Sequence, residues 1–208
     1  MAQAQAQVWR KQFLQGQHVS ECGSAAASVN HIHAKMETDM KDLESLVYGF
    51  GDTPHGRIVV ARSDSGIRAV LFGADNAALA EDLAARFPDA DLVPAGMGMD
   101  RAIAQVVDVM LGEAPVGELV LDLKGTAFQL AVWDALRAIQ PGDTASYAEV
   151  AAAIGKPGAV RAVAAACAAN PVAVIVPCHR VVRSDGSLSG YRWGVERKRA
   201  LLAWETAA

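Results

Sequence analysis

The period of the apolar pattern changes once along the chain, from that of short strands to that of helices. Between residues 46 and 74, three short apolar or alternating runs are separated by the turn sequences TPHG and SG. This arrangement predicts a three-stranded antiparallel meander. From residue 124 onward, the apolar residues recur mainly at helical spacing. We therefore expect an α/β domain over residues 39–123 and a mainly helical domain over residues 124–208.

Two helices and a short strand complete the predicted α/β domain. Leu79, Leu83 and Phe87 recur at helical spacing just before a proline, and residues 99–112 repeat the pattern and end in glycine. Helices commonly stop at such residues, so both segments are predicted to be helical. Residues 118–123 then predict a short strand.

The helical domain is predicted to begin with a long helix over residues 125–139. Thr126 is a suitable N-cap, and Pro-Gly follows the last turn. One face of this helix carries the apolar residues Phe128, Val132, Leu136 and Ile139.

Two shorter helices follow and are joined by the sequence GKPG. The first is capped at Thr144 or Ser146, and the second covers residues 159–170 and consists mostly of small residues. Two short helices with such a connection predict a helix-turn-helix. Residues 172–176 then predict a strand, and residues 194–205 an amphipathic helix that closes the chain.

The composition favours a protein of the reducing cytoplasm. Three cysteines among 208 residues are too few for a disulfide framework or a four-cysteine zinc site. No stretch approaches the ~18 consecutive apolar residues of a membrane span, and the N-terminus lacks the apolar core of a secretory signal. Residues 1–38, which include His18, Cys22, His31 and His33, are predicted to be a flexible extension. The spacing of those four residues matches no common zinc pattern, so we expect no metal there.

The charges are distributed unevenly. Residues 156–199 contain eight Lys or Arg residues against two acids, a net charge of +6 in a chain whose total is −4. Such asymmetry is typical of a local basic face on an otherwise acidic protein, and it keeps a nucleic-acid partner open.

Cys178 ends an apolar run and is followed directly by His179. A cysteine in this position is more often an inert packing residue than a reactive one. Pro177, however, ends a strand and favours a turn just before the thiol. Because neighbours in a regular strand point to opposite faces, Cys178 and His179 could interact only across a turn or through a water. The residues alone leave both packing and nucleophilic roles open.

A nucleophilic cysteine needs a base, and that base needs a group to orient it. His179 is the candidate base. Glu205 is the candidate orienting acid, because it ends the last predicted helix, whose apolar face would bring it back toward the core. A solvated terminal glutamate is the alternative.

Three segments together resemble the O6-alkylguanine-DNA alkyltransferases, and most of all the C-terminal domain of the bacterial Ada proteins. They are IVPCHRVV, SGYRWG and ASYAEVAAAIGKPGAVRAVAAACAANP, and the similarity covers roughly residues 46–205. The resemblance implies an N-terminal RNase H-like α/β domain followed by a helical domain with a winged helix-turn-helix. It implies a single, irreversible transfer of the alkyl group from O6-alkylguanine, and also from O4-alkylthymine, in DNA to the protein, with no cofactor.

The resemblance also assigns chemical roles. Cys178 is implied to be the alkyl acceptor, His179 to act as base through a bound water, Glu205 to hold the imidazole and Asn170 to brace the turn. Tyr147 is implied to protonate or hydrogen-bond the guanine at N3. Lys198 is implied to assist Tyr147, with a solvated helix lysine as the alternative.

The same resemblance implies that the base is flipped out of duplex DNA bound through the minor groove by a monomer. Arg161 would fill the vacated stack. The small residues Ala162, Ala165 and Ala166 would let their helix approach the backbone closely, with Arg180 and Tyr191 as further DNA contacts. Backbone groups of Cys178, Val181 and Arg192 would meet the guanine edges, and the loop of Tyr191 would wall the pocket.

The chain also departs from the full-length Ada pattern. Neither the upstream four-cysteine zinc domain nor the regulatory domain is recognisable, so we carry over neither transcriptional regulation nor phosphotriester repair. Arg192 and Trp193 follow the Ada-like sequence, which predicts a pocket that is narrow for bulky adducts. Two alternatives are a binding-only sensor, which in that group replaces the acceptor cysteine, and a Cys-His hydrolase, which would need an oxyanion hole. The presence of Cys178 argues against the first, and the helix-turn-helix has no place in the second.

Overall fold

The computed structural model describes residues 44–95 and 97–207. The predicted extension over residues 1–38, with its histidines and Cys22, lies outside the described residues. Within the described part of the chain, no helix is long and apolar enough to cross a membrane. The same ranges contain no cluster of three His, Cys, Asp or Glu side chains suited to a metal ion.

A four-stranded mixed sheet forms the first half of the structure. Its strands are β1 (Glu44–Thr53), β2 (Gly56–Ser63), β3 (Gly66–Gly73) and β4 (Ala90–Pro94), in the order β3-β2-β1-β4. The predicted meander of β1, β2 and β3 is confirmed. Strand β4, which pairs parallel to β1, was not predicted from the sequence. Its sequence ADLVP is short, contains a proline and has no buried residue, so it gives no strand signal.

The two predicted helices of this half pack on opposite faces of the sheet. Helix α1 (Asn76–Arg86) is capped by Asp75 and buries Leu79 and Leu83 against β2 and β3. Helix α2 (Asp100–Leu111) packs on the other face and ends at Gly112, whose φ of 78° is a left-handed conformation that glycine adopts without strain. Because alternate strand residues point to opposite faces, both faces of the sheet are buried.

Four helices make up the second half. They are α3 (Ala127–Arg137), α4 (Tyr147–Ala153), α5 (Val160–Ala169) and α6 (Val195–Ala207). Capping boxes begin α3 at Thr126 and α4 at Ser146, so Ser146 rather than Thr144 is the cap. Two further two-residue strands, β5 (Ala145–Ser146) and β6 (Val181–Val182), pair in parallel next to the start of α4.

Three sequence-based predictions about local structure are wrong. Residues 172–176 form a buried turn instead of a strand, and only Val172 bridges to β3, opposite Val70. Residues 118–123 likewise contribute only a bridge between Leu121 and β3. Helix α6 is not amphipathic in the expected sense, because the residues it buries are Lys198 and Leu201. In each case tertiary contacts override the local pattern.

One hydrophobic core runs through both halves. It joins residues of β2, β3 and α2 to residues of α3, α4, α5 and the turn before Cys178. Trp133 of α3 is buried in it and donates its indole N–H to the Ala166 carbonyl at 2.9 Å. The predicted domain boundary between residues 123 and 124 stays a prediction.

Candidate active site around Cys178

Cys178 begins a single 3₁₀ turn that also contains His179 and Arg180. Pro177 precedes this turn, and the amide N–H of Arg180 donates to its carbonyl at 3.0 Å. The backbone therefore leaves the extended conformation where the thiol appears. The thiol itself is 5% exposed. Val174, in the preceding turn, has a φ of 66°, a costly conformation for a β-branched residue.

Asn170 ties this turn to the end of α5. Its amide Nδ2 donates to the Val176 carbonyl at 2.7 Å and to Cys178 Sγ at 3.2 Å, while its Oδ1 accepts from the Val172 N–H at 2.9 Å. Asn170 is fully buried. The side chain thus holds both the backbone before Cys178 and the sulfur atom itself.

His179 is held by Glu205 of α6. His179 Nε2 lies 2.7 Å from Glu205 Oε1, and the histidine is fully buried. The other ring nitrogen, Nδ1, is buried and has no hydrogen-bond partner among the described residues. The alternative of a solvated glutamate is therefore wrong, because the Glu205 side chain is 9% exposed.

Arg180 makes the second contact to the same carboxylate. Its Nε lies 3.2 and 3.1 Å from the two oxygens of Glu205, and its Nη2 lies 2.9 Å from Oε1. Its Nη1 donates to the Ile139 carbonyl at 2.5 Å. The predicted DNA contact of Arg180 conflicts with this placement, because the side chain is 11% exposed and its charge is paired inside the protein.

The electrostatics of these three residues follow from burial and pairing. Burial raises the pKa of the Cys178 thiol, against the hydrogen bond from Asn170 and the positive charges of Lys198 and Arg86. Burial lowers the pKa of His179, against Glu205. Burial would raise the pKa of Glu205, but hydrogen bonds from His179 and Arg180 outweigh it and lower that pKa from 4.5 to about 2. The site thus holds a carboxylate that orients a neutral imidazole beside a protonated thiol.

Lys198 and Tyr147 bond to different partners. Lys198 is fully buried and its Nζ donates to the Val181 carbonyl, so the alternative of a solvated lysine is wrong. The Tyr147 hydroxyl lies 2.6 Å from Ser189 Oγ, and burial raises its pKa. No hydrogen bond joins Lys198 to Tyr147 in the described part of the chain, so direct assistance through such a bond is not present here.

A pocket of about 480 Å³ opens onto Cys178. Predicted site residues that line it are Tyr147, Cys178, Tyr191 and Arg192, and the lining also includes Ala164, Cys167, Ala168, Arg183, Ser189 and Gly190. Val181 does not line it, because this residue is fully buried and its carbonyl accepts from Lys198. A cavity of this size, with a thiol and several polar side chains at its wall, is large enough for one small molecule.

The wall of this pocket is backed by aromatic residues. Tyr191 packs edge-on against Trp193, with ring centroids 5.2 Å apart, and Trp193 packs in the same manner on Phe72 of β3 at 6.1 Å. Trp193 does not line the pocket itself. Any narrowing by Trp193 would therefore act through the position of Tyr191.

The outer face of α5 is small and carries one arginine. Arg161, Ala162 and Ala165 are exposed, as the predicted DNA contact requires. Ala166 is not: it is 2% exposed and its carbonyl accepts from Trp133, so its predicted role at the DNA is wrong. The helical period places Ala166 on the same face as Val163, which is buried.

The sequence analysis missed several residues at this site. Ser189 and Gly190 lie in the SGYRWG segment, which marked the loop without assigning a role to either residue. Arg86 and Asp82 of α1 gave no signal, because they lie about a hundred residues away in sequence. Asp82 pairs with Arg192 at 2.5 Å, and Arg86 contacts the end of α5.

Comparison with known proteins gives two family matches that cover both halves of the chain. The description "6-O-methylguanine DNA methyltransferase, DNA binding domain" matches residues 127–207, and the ribonuclease-like domain of the same family matches residues 46–107. Among curated relatives, the bifunctional transcriptional activator/DNA repair enzyme Ada of Escherichia coli is 52% identical over 158 residues, which is 76% of this chain and 45% of Ada. A methylated-DNA--protein-cysteine methyltransferase of Mycobacterium bovis is 51% identical over 104 residues, 50% of this chain and 63% of the relative.

Solved structures show the same fold. The OGT of Mycobacterium tuberculosis in complex with DNA matches with a TM-score of 0.66 and 38% identity, covering 77% of this chain and 93% of that one. An O6-methylguanine-DNA methyltransferase from Pyrococcus kodakaraensis matches with a TM-score of 0.62 and 26% identity, covering 77% and 98%. The chain spans less than two thirds of the length of the curated relatives described above.

Proposed function

The chain belongs to the 6-O-methylguanine DNA methyltransferase family, and we propose that it repairs DNA by transferring the alkyl group of O6-alkylguanine irreversibly to its own Cys178. The observation that carries this proposal is the placement of the thiol. Cys178 lies at the wall of a base-sized pocket, on a turn where Asn170 holds its sulfur. A packing cysteine would need neither the pocket nor the bond.

The proposed reaction is an in-line displacement at the alkyl carbon. The sulfur of Cys178 forms a bond to that carbon while the bond from carbon to guanine O6 breaks, and the bonding electrons leave with the guanine. The thiol proton passes through a water to the unpaired Nδ1 of His179, whose Nε2 is held by Glu205. Tyr147, with its hydroxyl at the pocket wall, would supply a hydrogen bond or proton to guanine N3.

This reaction consumes the protein, because the thioether that it forms on Cys178 is not hydrolysed in water at neutral pH. Each molecule therefore acts once, and no cofactor takes part. The same displacement applies to O4-alkylthymine, which presents an alkyl group on an equivalent exocyclic oxygen. We propose it as a second substrate.

Access to the alkylated base requires that it leave the duplex, which costs a few kcal/mol. We assign the outer face of α5 to the DNA, with Arg161 filling the vacated stack and Ala162 and Ala165 against the minor groove. The relative from M. tuberculosis was crystallised with DNA, which supports a duplex partner. Attraction to the phosphates would come from the basic stretch of residues 156–199. A monomer in the cytoplasm remains the prediction made from the sequence.

The test is the mass of the Cys178 peptide after incubation with duplex DNA that contains O6-methylguanine. We expect one retained methyl group per protein molecule and loss of the methyl group from the DNA. Cys178→Ser should bind the same DNA and retain no methyl. An unmodified Cys178 peptide, with the DNA bound, would support the binding-only sensor, while release of a hydrolysed product with repeated turnover would support the Cys-His hydrolase.

The width of the pocket is a separate proposal. If the packing of Trp193 on Tyr191 narrows it, O6-benzylguanine should inactivate the protein far more slowly than O6-methylguanine DNA does. Equal rates for the two compounds would contradict a narrow pocket.

A further inference from the structure

Arg86 reaches from the last turn of α1 to the end of α5. Its Nη1 donates to the carbonyl of Ala169, the last residue of α5, at 3.0 Å. The side chain is half-buried, and its Nε is a buried donor without a hydrogen-bond partner in the described ranges. A guanidinium in such a place loses part of its hydration, and the bond to the Ala169 carbonyl compensates for part of that loss.

The residue that follows Ala169 is the one that holds the acceptor. Asn170 donates to Cys178 Sγ at 3.2 Å and to the Val176 carbonyl at 2.7 Å. The backbone on its other side is fixed by β3, because the Val70 N–H donates to the Pro171 carbonyl at 2.9 Å and the Ala173 N–H donates to the Val70 carbonyl at 2.8 Å. Arg86 and β3 thus anchor the two sides of Asn170 from the first half of the chain.

The charge of Arg86 also acts on the thiol. Burial and the nearby charge of Arg192 lower the pKa of Arg86 to about 10, although the charge of Asp82 acts in the opposite direction. The positive charge of Arg86 in turn acts to lower the pKa of Cys178. Lys198 is the other cation that acts on Cys178 in this sense. The remaining titratable groups near the thiol are His179 and those that share the pocket, namely Cys167, Tyr147, Tyr191, Arg183 and Arg192.

We propose that Arg86 is a positioning residue for the transfer reaction, because its guanidinium holds the Ala169–Asn170 turn that presents the Cys178 sulfur. A positive charge held at this turn also favours the thiolate that attacks. This inference rests on the proposed function of Cys178 as alkyl acceptor. It assigns part of the acceptor site to α1, in the half of the chain that carries no residue of the displacement itself.

The expected effect follows from thiol chemistry. Removal of a positive charge that acts on a buried thiol raises the pKa of that thiol, and we expect a rise of about half a unit to one unit here. Near neutral pH, the logarithm of the thiolate fraction falls by as much as the pKa rises. The more basic thiolate is a better nucleophile, and this raises the logarithm of its intrinsic rate constant by about half of the pKa shift. The net loss of rate at neutral pH is therefore only about two- to threefold, and above the pKa of both thiols the variant should react faster than the wild type.

The experiment uses the full chain and a small electrophile. The rate of carboxamidomethylation of Cys178 by iodoacetamide is followed by peptide mass from about pH 6 to 11, for the wild type, Arg86→Gln, Arg86→Lys and the control Arg101→Gln. Arg101 is an exposed arginine of α2. We expect Arg86→Gln to move the midpoint of the profile upward by about half a unit to one unit. Arg86→Lys, which keeps the positive charge, should have a midpoint close to that of the wild type, and Arg101→Gln should have the same midpoint as the wild type.

Methyl transfer from O6-methylguanine DNA is measured on the same four proteins. A slower transfer by Arg86→Gln with an unshifted pH midpoint, and no rescue by lysine, would overturn the proposal and leave Arg86 a packing residue. An unchanged rate and profile in Arg86→Gln would also overturn it. Because iodoacetamide needs no DNA, a shifted profile in a protein that takes no methyl group would reject the proposed function but support the effect of Arg86 on the thiol.

Discussion

Replacement of Glu205 by glutamine tests the buried cluster that this residue forms with His179 and Arg180. The carboxylate accepts from His179 Nε2 at 2.7 Å and from three atom pairs with Arg180 at 2.9 to 3.2 Å. Glutamine has nearly the same shape but one oxygen and no charge. Its oxygen can still accept from His179 Nε2 and Arg180 Nη2, which both bond to Oε1. Its N–H group then faces Arg180 Nε and the Gly142 N–H, and in the described residues the guanidinium keeps no negatively charged partner.

Two independent estimates give the size of the loss. A carboxyl pKa of about 2 against an ordinary value of 4.5 corresponds to about 3 kcal/mol of stability at neutral pH, at about 1.4 kcal/mol per unit. Removing one partner of a buried ion pair costs about 3–5 kcal/mol, and the slight exposure of both side chains points to the lower end. We expect Glu205→Gln to lower the free energy of unfolding by about 3 kcal/mol.

The assay is urea unfolding at neutral pH, followed by far-ultraviolet circular dichroism. Glu196→Gln is the matched control, since Glu196 pairs with Arg199 on the same helix but is 87% exposed. That variant should lose no more than about 0.5 kcal/mol. The double variant Glu205→Gln/Arg180→Met should recover part of the loss, because no unpaired charge remains. A loss below about 1 kcal/mol for Glu205→Gln would refute the view that this carboxylate is a buried partner of Arg180 and His179.

Three further predictions concern Arg161, which we propose to be the base-flipping residue, the buried Lys198, and the stability of the protein at low pH. Arg161→Ala should slow repair of O6-methylguanine in duplex DNA at least tenfold, yet leave attack on free O6-benzylguanine unchanged, since only the duplex requires flipping; equal losses on both substrates would exclude that role. Lys198→Met should change the midpoint of urea unfolding little, because an apolar side chain of similar length fills the same space. The same variant should transfer methyl groups more slowly, because it lacks a cation that favours the Cys178 thiolate. Lowering the pH should destabilise the protein in two steps. Burial lowers the pKa of His179 below its ordinary 6.5, so the contribution of the neutral imidazole to stability is complete above pH 6.5 and is lost below it. The contribution of the Glu205 carboxylate, whose pKa is lowered from 4.5 to about 2, is lost between these two pH values. Urea midpoints that stay constant from about pH 7 to 5 would contradict the first step.

The elements that the sequence predicted well are those whose signals are local. The meander has alternating apolar residues and glycine-containing turns between its strands, and α3 begins with a capping box in which Thr126 and Gln129 bond reciprocally. The family resemblance, which rested mainly on the residues around Cys178, is confirmed by matches to both halves of the chain. Such features depend on neighbours a few residues apart, so they are visible in one sequence.

The errors lie where distant parts of the chain meet. Residues 172–176 have the composition of a strand, but one bridge to Val70 and the bonds of Asn170 hold them as a turn. Arg180 has the charge of a phosphate contact, but the end of α6 places Glu205 beside it. Ala166 is an exception, since the helical period that buries Val163 could have placed it inward from the sequence alone.

The sequence by itself determined the meander, the main helices and the family, and it singled out Cys178 as the candidate acceptor, because apolar period, turn residues and motifs depend on residues close together in the chain. The tertiary structure alone decided which charges turn inward, that Glu205 holds one nitrogen of His179 while the other has no partner in the described part of the chain, and that Arg86 reaches the turn before Cys178 from α1. The physical reason is that burial and pairing set the state of a charged group, and both depend on residues that only folding brings together.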